Sequence, residues 1–307
     1  GTTWTNYTSI PVANIETQVM CLKSKTNTLA YSTNGTTWTG LGKTIFDIEG
    51  RKAYNKNNIW VAVGEGTTNT LATSQDGINW TGKGRIFNVR GNDVYYYNGL
   101  WIAVGEDTDL TKCIAYSNDN FSTWNYYGGS LLQTAKTVIH NGLKWFVGGY
   151  YNSGTTYKPI IVSDDGISWT YPSGTATNLV MVNTFCIDDS TTLVAAGMGT
   201  YHYSYNCYRT INNGTSWQSS GNIFGSHQEV INSISYINNT WFACGSSLTY
   251  DFSYSTSIHS SWAGRKRLFK NAFYGVTSDR YGILYAFGSD DSINTSIQKS
   301  SDKGSTW

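Results

Sequence analysis

The chain has 307 residues, of which 39% are apolar, 15% aromatic and only 13% charged, with a formal net charge of +1. So even a balance offers no bulk field to nucleic acid, and neither nucleic acid nor an anionic membrane is expected as a partner. No stretch approaches the ~18 uninterrupted apolar residues of a spanning helix, so membrane insertion is not expected either.

Polarity comes instead from Thr, Ser, Asn and Gly and from 23 tyrosines. That composition is expected of an extracellular or virion-surface β-protein rather than a cytosolic enzyme. Cys21, Cys113, Cys186, Cys207 and Cys244 show neither zinc spacing nor a disulfide framework, and read as small buried apolar side chains. His140, His202, His227 and His259 are scattered without metal-site spacing, so no metal and no cofactor is expected.

Along the chain one phrase recurs, ending at Trp4, Trp38, Trp80, Trp124, Trp169, Trp217, Trp262 and Trp307, at intervals of 34, 42, 44, 45, 48, 45 and 45 residues. A fixed period of this size marks a repeat architecture. The first unit is irregular. Thr17-Gln-Val-Met-Cys-Leu22 stands where an inner hairpin belongs, and the short interval predicts a missing or truncated strand in the unit near residues 5–38.

From the second unit onward another phrase appears: Trp60-Val-Ala-Val-Gly64, Trp101-Ile-Ala-Val-Gly105, Trp145-Phe-Val-Gly-Gly149 and Trp241-Phe-Ala-Cys-Gly245. Leu193 and Leu284 open two further copies. The third unit shows how the strands divide. Asp93 to Tyr97 is apolar and aromatic, Asn98-Gly99 is a hairpin turn, Leu100 to Val104 is a second strand, Cys113 to Ser117 a third, and a fourth begins at Trp124. Helical periodicity is absent. Four antiparallel strands every 40 to 45 residues predict the blade of a β-propeller.

The turn phrase has its own chemistry. Asp76, Asp165, Asn212 and Asp302 can accept hydrogen bonds from amides of their own turns, and Gly77, Gly166, Gly214 and Gly304 supply a positive φ. Ser300-x-Asp302-x-Gly304-x-Thr306-Trp307 resembles the Asp-box, the bacterial neuraminidase repeat, and a version of it ends every unit. The resemblance implies an all-β fold: one seven-bladed β-propeller domain over residues 1–307. Closure would pair an N-terminal strand within residues 1–9 with the blade at 271–307. The near-identity of the two ends also allows the chain to be part of a longer array or assembly. The same repeat is found in sialidases, endoglucanases, sorting receptors, photosystem assembly factors and non-enzymatic binders, so it implies no activity by itself.

In such propellers the loops between second and third strands share a face with the connections between blades, and ligands bind there. Here these loops differ from unit to unit. Glu65, Glu106 and Asp290 make three of them acidic; Tyr150, Tyr151 and Tyr157, then Tyr201, His202 and Tyr203, then Tyr250 make the others aromatic. Exposed tyrosines suit stacking on sugars or contact with a protein, so a glycan or protein ligand is expected at these ten residues.

A sialidase would need three clamping arginines and a Tyr–Glu nucleophile. The nearest text, Gly84-Arg85-Ile86-Phe87, lacks the expected proline and recurs as Ile45-Phe46, Ile223-Phe224 and Leu268-Phe269. A side chain that recurs unit by unit reads as structural. No catalytic residue is therefore assigned, and the expectation is a non-enzymatic recognition or structural module. The alternative is a glycoside hydrolase using Glu65, Glu106 or Asp290 as an acid pair on the same face.

Overall fold

The computed structural model describes residues 17–24, 26–35, 37–151, 153–154, 156–174, 178–200, 206–220, 223–224, 230–246, 250–259, 262–270, 272–278, 283–289, 295–302 and 304–307. Among these every regular element is a strand, and the strands fall into seven successive antiparallel units.

The first unit holds β1 (Gln18–Cys21), β2 (Leu29–Ser32) and β3 (Thr39–Gly40). The second holds β4 (Glu49–Lys56), β5 (Ile59–Glu65), β6 (Leu71–Ser74) and β7 (Thr81–Gly82). The third holds β8 (Arg90–Tyr97), β9 (Leu100–Glu106), β10 (Ile114–Ser117) and β11 (Asn125–Tyr126). The fourth has β12 (Thr134–His140), β13 (Trp145–Tyr150) and β14 (Ile160–Ser163), with its outer edge reduced to a bridge between Val162 and Thr170. The fifth has β15 (Leu179–Ile187), β16 (Leu193–Gly199), β17 (Cys207–Thr210) and β18 (Gln218–Ser219). The sixth has β19 (Val230–Ile237), β20 (Thr240–Ser246), β21 (Phe252–Ser255) and β22 (Ala263–Lys266). The seventh has β23 (Ala272–Ser278), β24 (Leu284–Ser289) and β25 (Thr295–Ser300). Single residue pairs, Tyr150 with Met181 and Met198 with Val230, join the fourth, fifth and sixth units edge to edge.

The hairpins form where the sequence supplies left-handed residues. Asn98 and Gly99 have φ of 47° and 88°, and the Asn57-Asn58 and Asn238-Asn239 turns are likewise positive at both positions. That geometry matches the twist of the flanking strands.

The turn phrase folds as its chemistry predicts. Ser74 Oγ donates to Asp76 Oδ1 at 2.9 Å and accepts from Gly77 N at 2.9 Å. Asp76 Oδ1 also accepts from Ile78 N and Asn79 N at 2.8 and 2.7 Å. The same bonds recur at Ser163 and Asp165, and in related form at Ser300 and Asp302. Amides of Ser168 and Ile167 hold the Asp165 carboxyl at about 2, and the Thr306 hydroxyl and amide hold Asp302 at about 2.

No unit has a core of its own. Each of six buried clusters takes side chains from two successive units. One joins Val61, Val63 and Leu71 to Phe87, Val94 and Trp101. Another joins Ile102, Val104 and Ile114 to Leu132, Val147 and Trp169. The turn-phrase tryptophans seal these seams: Trp169 is 4% exposed and Trp262 3%. The recurring Phe of the crossings is structural, as the repeat implied, since Phe46, Phe87 and Phe224 are fully buried. The glycine that closes the Trp-x-Ala-x-Gly phrase is required by a first-strand carbonyl, since a Cβ would collide with Glu49 O at Gly64, with Arg90 O at Gly105 and with Val230 O at Gly245. In the second and third units the crossing Phe adds to the crowding. A Cβ on Gly105 would lie 2.6 Å from the Phe87 ring, and one on Gly64 2.9 Å from Phe46.

The first unit departs from the expectation in detail. β1 pairs with β2 through Gln18↔Ser32 and Cys21↔Leu29, the register that Trp60↔Ser74 and Val63↔Leu71 have in the second unit. β1 (Gln18–Cys21) thus holds the second-strand position, with Gln18 in the Trp slot. The chain before residue 17, including the proposed closing strand in residues 1–9, lies outside the described residues. Among the described residues the seventh unit has no fourth strand.

Candidate functional site

The first strands of units two to six converge on a cavity of about 290 Å³. Each of them is interrupted by a bulge that faces the cavity, and β15 carries a second slip between Leu179 and Met181. The ladder register slips between Gly50 and Lys52, Gly91 and Asp93, Ala135 and Thr137, Val182 and Thr184, and Ile231 and Ser233. A bulge adds an unpaired residue and re-aims its side chain. The five bulged residues, Arg51, Asn92, Lys136, Asn183 and Asn232, all line the cavity.

The amides among them tie neighbouring units together. Asn92 Nδ2 donates to Ala135 O at 2.8 Å, Asn183 Nδ2 to Ile231 O at 3.0 Å, and Asn232 Nδ2 to Phe273 O at 3.0 Å. In each case the acceptor is the residue just before the bulge of the next unit. Arg51 and Lys136 replace that lock with cations.

Asp93, beside the bulge, crosses the same seam. It accepts from Thr137 Oγ1 at 3.0 Å and Val138 N at 3.1 Å. Burial pushes its carboxyl up, and nearby Lys52 pulls it partly back. Burial lowers the Lys136 ammonium, and Arg51 and Arg90 lower it further; Glu106 and Glu49 offset only part of this.

Of the expected acidic residues, the structure brings two together. Arg90 at the start of β8 donates from Nη1 to Glu65 at 3.1 Å, and from Nε and Nη2 to Glu106 at 3.0 and 2.8 Å. Both carboxylates thus belong to one ion network spanning two units. Glu49 is engaged similarly by Arg51 at 3.1 Å and Lys23 at 3.7 Å. Two further loop acids are structural. Asp107 accepts from Asn88 N at 2.7 Å, and Asp251 from Leu268 N and Phe269 N at 2.7 and 2.9 Å, fixing the crossings that carry the buried phenylalanines.

The expected tyrosines are less exposed than a stacking platform requires. Tyr151 is half-buried, with its ring 6.3 Å from Tyr171. Tyr171 in turn donates to Leu131 O at 2.9 Å and lies 4.4 Å beneath the Lys158 ammonium. Tyr150, at the end of β13, and Tyr157 are also half-buried. Only Tyr250, at 38% exposure, is open among those described. Tyr201, His202, Tyr203 and Asp290 lie outside the described residues.

Sequence reasoning missed the bulged column. Its signal was nevertheless present: Arg51, Asn92, Lys136 and Asn232 each stand nine residues before the Trp of the second phrase. Among the described residues no group of three metal-ligating side chains is assembled.

No protein-family model matches the chain, and no curated protein matches it. Among solved structures 399 chains match. One, described as YCF48 bound to D1 peptide, superposes with a TM-score of 0.55 at 13% identity, covering 96% of this chain and 88% of its own. At that identity the likeness speaks to the fold alone. Together with the all-antiparallel units, it makes this chain a β-propeller.

Proposed function

We propose that the chain is a non-enzymatic recognition module, a closed seven-bladed Asp-box propeller that grips a segment of another protein. The binding surface is the mouth of the central cavity, on the face bearing the loops between second and third strands. One observation carries this reading: five successive units present unlike side chains, three amides and two cations, at equivalent bulges around one cavity. A specific ligand needs unlike groups at defined positions, which the repeated turns of the opposite face do not offer.

Several features support the finer parts. The recurring Ser–Asp–amide geometry of the turns fits the Asp-box. Six seams join the seven units in series, and a seventh, between the last unit and the first, would close the ring through the N-terminal strand; deleting residues 1–9 should then lower the melting temperature and promote association through an exposed sheet edge. The Thr-, Ser-, Asn- and Tyr-rich composition fits an extracellular or virion surface. A protein partner is favoured over a glycan because the Tyr151 ring is already packed toward Tyr171. It is also the kind of partner with which the YCF48 propeller is described. A glycosidase would require a pair of carboxyls free to flank the scissile bond, whereas Glu65 and Glu106 are both ion-paired to Arg90.

The test is a random-peptide display selection on immobilised protein, run beside a glycan array and a panel of chromogenic glycosides. Retained peptides should lose affinity by about 1–3 kcal/mol in Tyr250→Ala, the expected tyrosine that is open among those described. Array hits without retained peptides, or glycoside turnover, would overturn the assignment.

A further inference from the structure

The charged groups at the cavity mouth do not balance. Around the cavity stand five cations, Lys23, Arg51, Lys52, Arg90 and Lys136, and four carboxylates, Glu49, Glu65, Asp93 and Glu106; the three glutamates are engaged by Lys23, Arg51 and Arg90, and Asp93 by Thr137 and Val138 with Lys52 nearby. Lys136 makes no ion pair or hydrogen bond among the described residues, although it is half-buried and lines the cavity. A desolvated ammonium without a counter-ion is costly, so the network is one anion short.

Two further cavity-lining residues carry buried atoms without partners. Arg51 Nε is a donor and Asn92 Oδ1 an acceptor, and neither is hydrogen-bonded. Asn92 has already spent its amide nitrogen on Ala135 O. Arg51 Nε and Asn92 Oδ1 are both fully enclosed and out of a ligand's reach, so of these three groups the Lys136 ammonium is the one open to a partner, and it specifies an anion.

We propose that a carboxylate of the bound segment, from an acidic side chain or the chain terminus, seats against the Lys136 ammonium and completes this network. This inference rests on the protein-recognition reading above and names the chemistry that the partner must bring.

The probes are N-acetyl-tetraglutamate amide and its tetraglutamine counterpart, added to the intact chain at low salt. The lysines are ¹³C-dimethylated, which preserves their charge, and the Lys136 signal is assigned by its loss in Lys136→Arg. The glutamate peptide should shift the Lys136 signal saturably and the glutamine peptide should not. Affinity should fall about tenfold or more in Lys136→Met and be largely kept in Lys136→Arg, as for loss and retention of a half-buried ion pair. A Lys136 signal that ignores the glutamate peptide in the unmutated protein overturns the proposal whatever the variants do. So does a folded Lys136→Met variant that binds it unchanged. Should display-selected peptides bind while leaving Lys136 undisturbed, the recognition reading survives and this inference fails. If tetraglutamate seats at Lys136 but no displayed peptide is retained, the carboxylate site stands and the recognition reading fails.

Discussion

Replacing Trp169 with Ala removes one of the two buried tryptophans from the seam between the third and fourth units. Trp169 is 4% exposed and packs in one cluster with Ile102, Val104, Leu132 and Trp145. A buried Trp hides up to about 250 Å² of surface, worth about 6 kcal/mol at 25 cal/mol/Å². That figure is an upper bound, because Ala retains part of the burial and the unfolded chain is not fully extended. Its Nε1 has no hydrogen-bond partner, so no bond is lost with the ring. Truncations of buried aromatics in other proteins cost about 3–5 kcal/mol, and the expectation here is about 4 kcal/mol. Urea unfolding followed by far-UV circular dichroism reads this as a lower midpoint at unchanged slope. Trp169→Phe, which keeps a ring in the seam, should lose only about 1–2 kcal/mol. A loss under about 1 kcal/mol in the Ala variant would refute the view that turn-phrase tryptophans seal adjacent units.

Gly105→Ala should destabilise by about 1–3 kcal/mol or more, because the new Cβ meets both the Phe87 ring and the Arg90 carbonyl; thermal melting that is unchanged would show that the crossing yields freely. Asp165 and Asp302 are both held at about 2, below the usual carboxylate value. Their contribution is therefore full above about pH 4 and is lost as pH falls through about 2, so Asp165→Asn should flatten the acid limb of the melting curve. Burial pushes His140 down to about 4, and it stacks on Tyr97 at 3.5 Å while its Nδ1 accepts from Gly142 N at 2.9 Å. The unfolded chain takes up that proton first, so stability is complete above about pH 6.5 and falls toward pH 4. His140→Gln should remove this slope and little else.

The architecture was legible because its causes are local. Trp spacing, the Asn-Gly hairpin and the Ser–Asp–Gly turn each act within a few residues, and each appears in the structure where the pattern placed it. The first unit misled because Gln18 occupies a slot that Trp marks elsewhere, and only strand register identifies it. At the site, Glu65 and Glu106 were recognisable as loop acids, but the arginine that binds both lies on a strand of the next unit, 25 residues from Glu65. The bulged residues escaped for another reason. A bulge is a property of the ladder, and nothing in the run Gly50-Arg51-Lys52 distinguishes it from an ordinary strand start. Only superposing units on their second phrase brings Arg51, Asn92 and Lys136 into one column.

Because every buried cluster is shared between two successive units, each unit from the second to the sixth carries half a seam on either side. An excised unit would bare both halves and find its complement only on another copy, so single units should precipitate rather than fold. A tandem copy inserted in frame, by contrast, arrives with a matching surface on each flank. Growth of such a chain by gene duplication requires no new core to be invented. In the closed ring proposed above, what limits it is the bore: an added member would widen the central opening and carry Arg51 and Lys136 away from each other. Under the proposed recognition role, selection for binding at that opening would fix the number of copies more strictly than selection for stability.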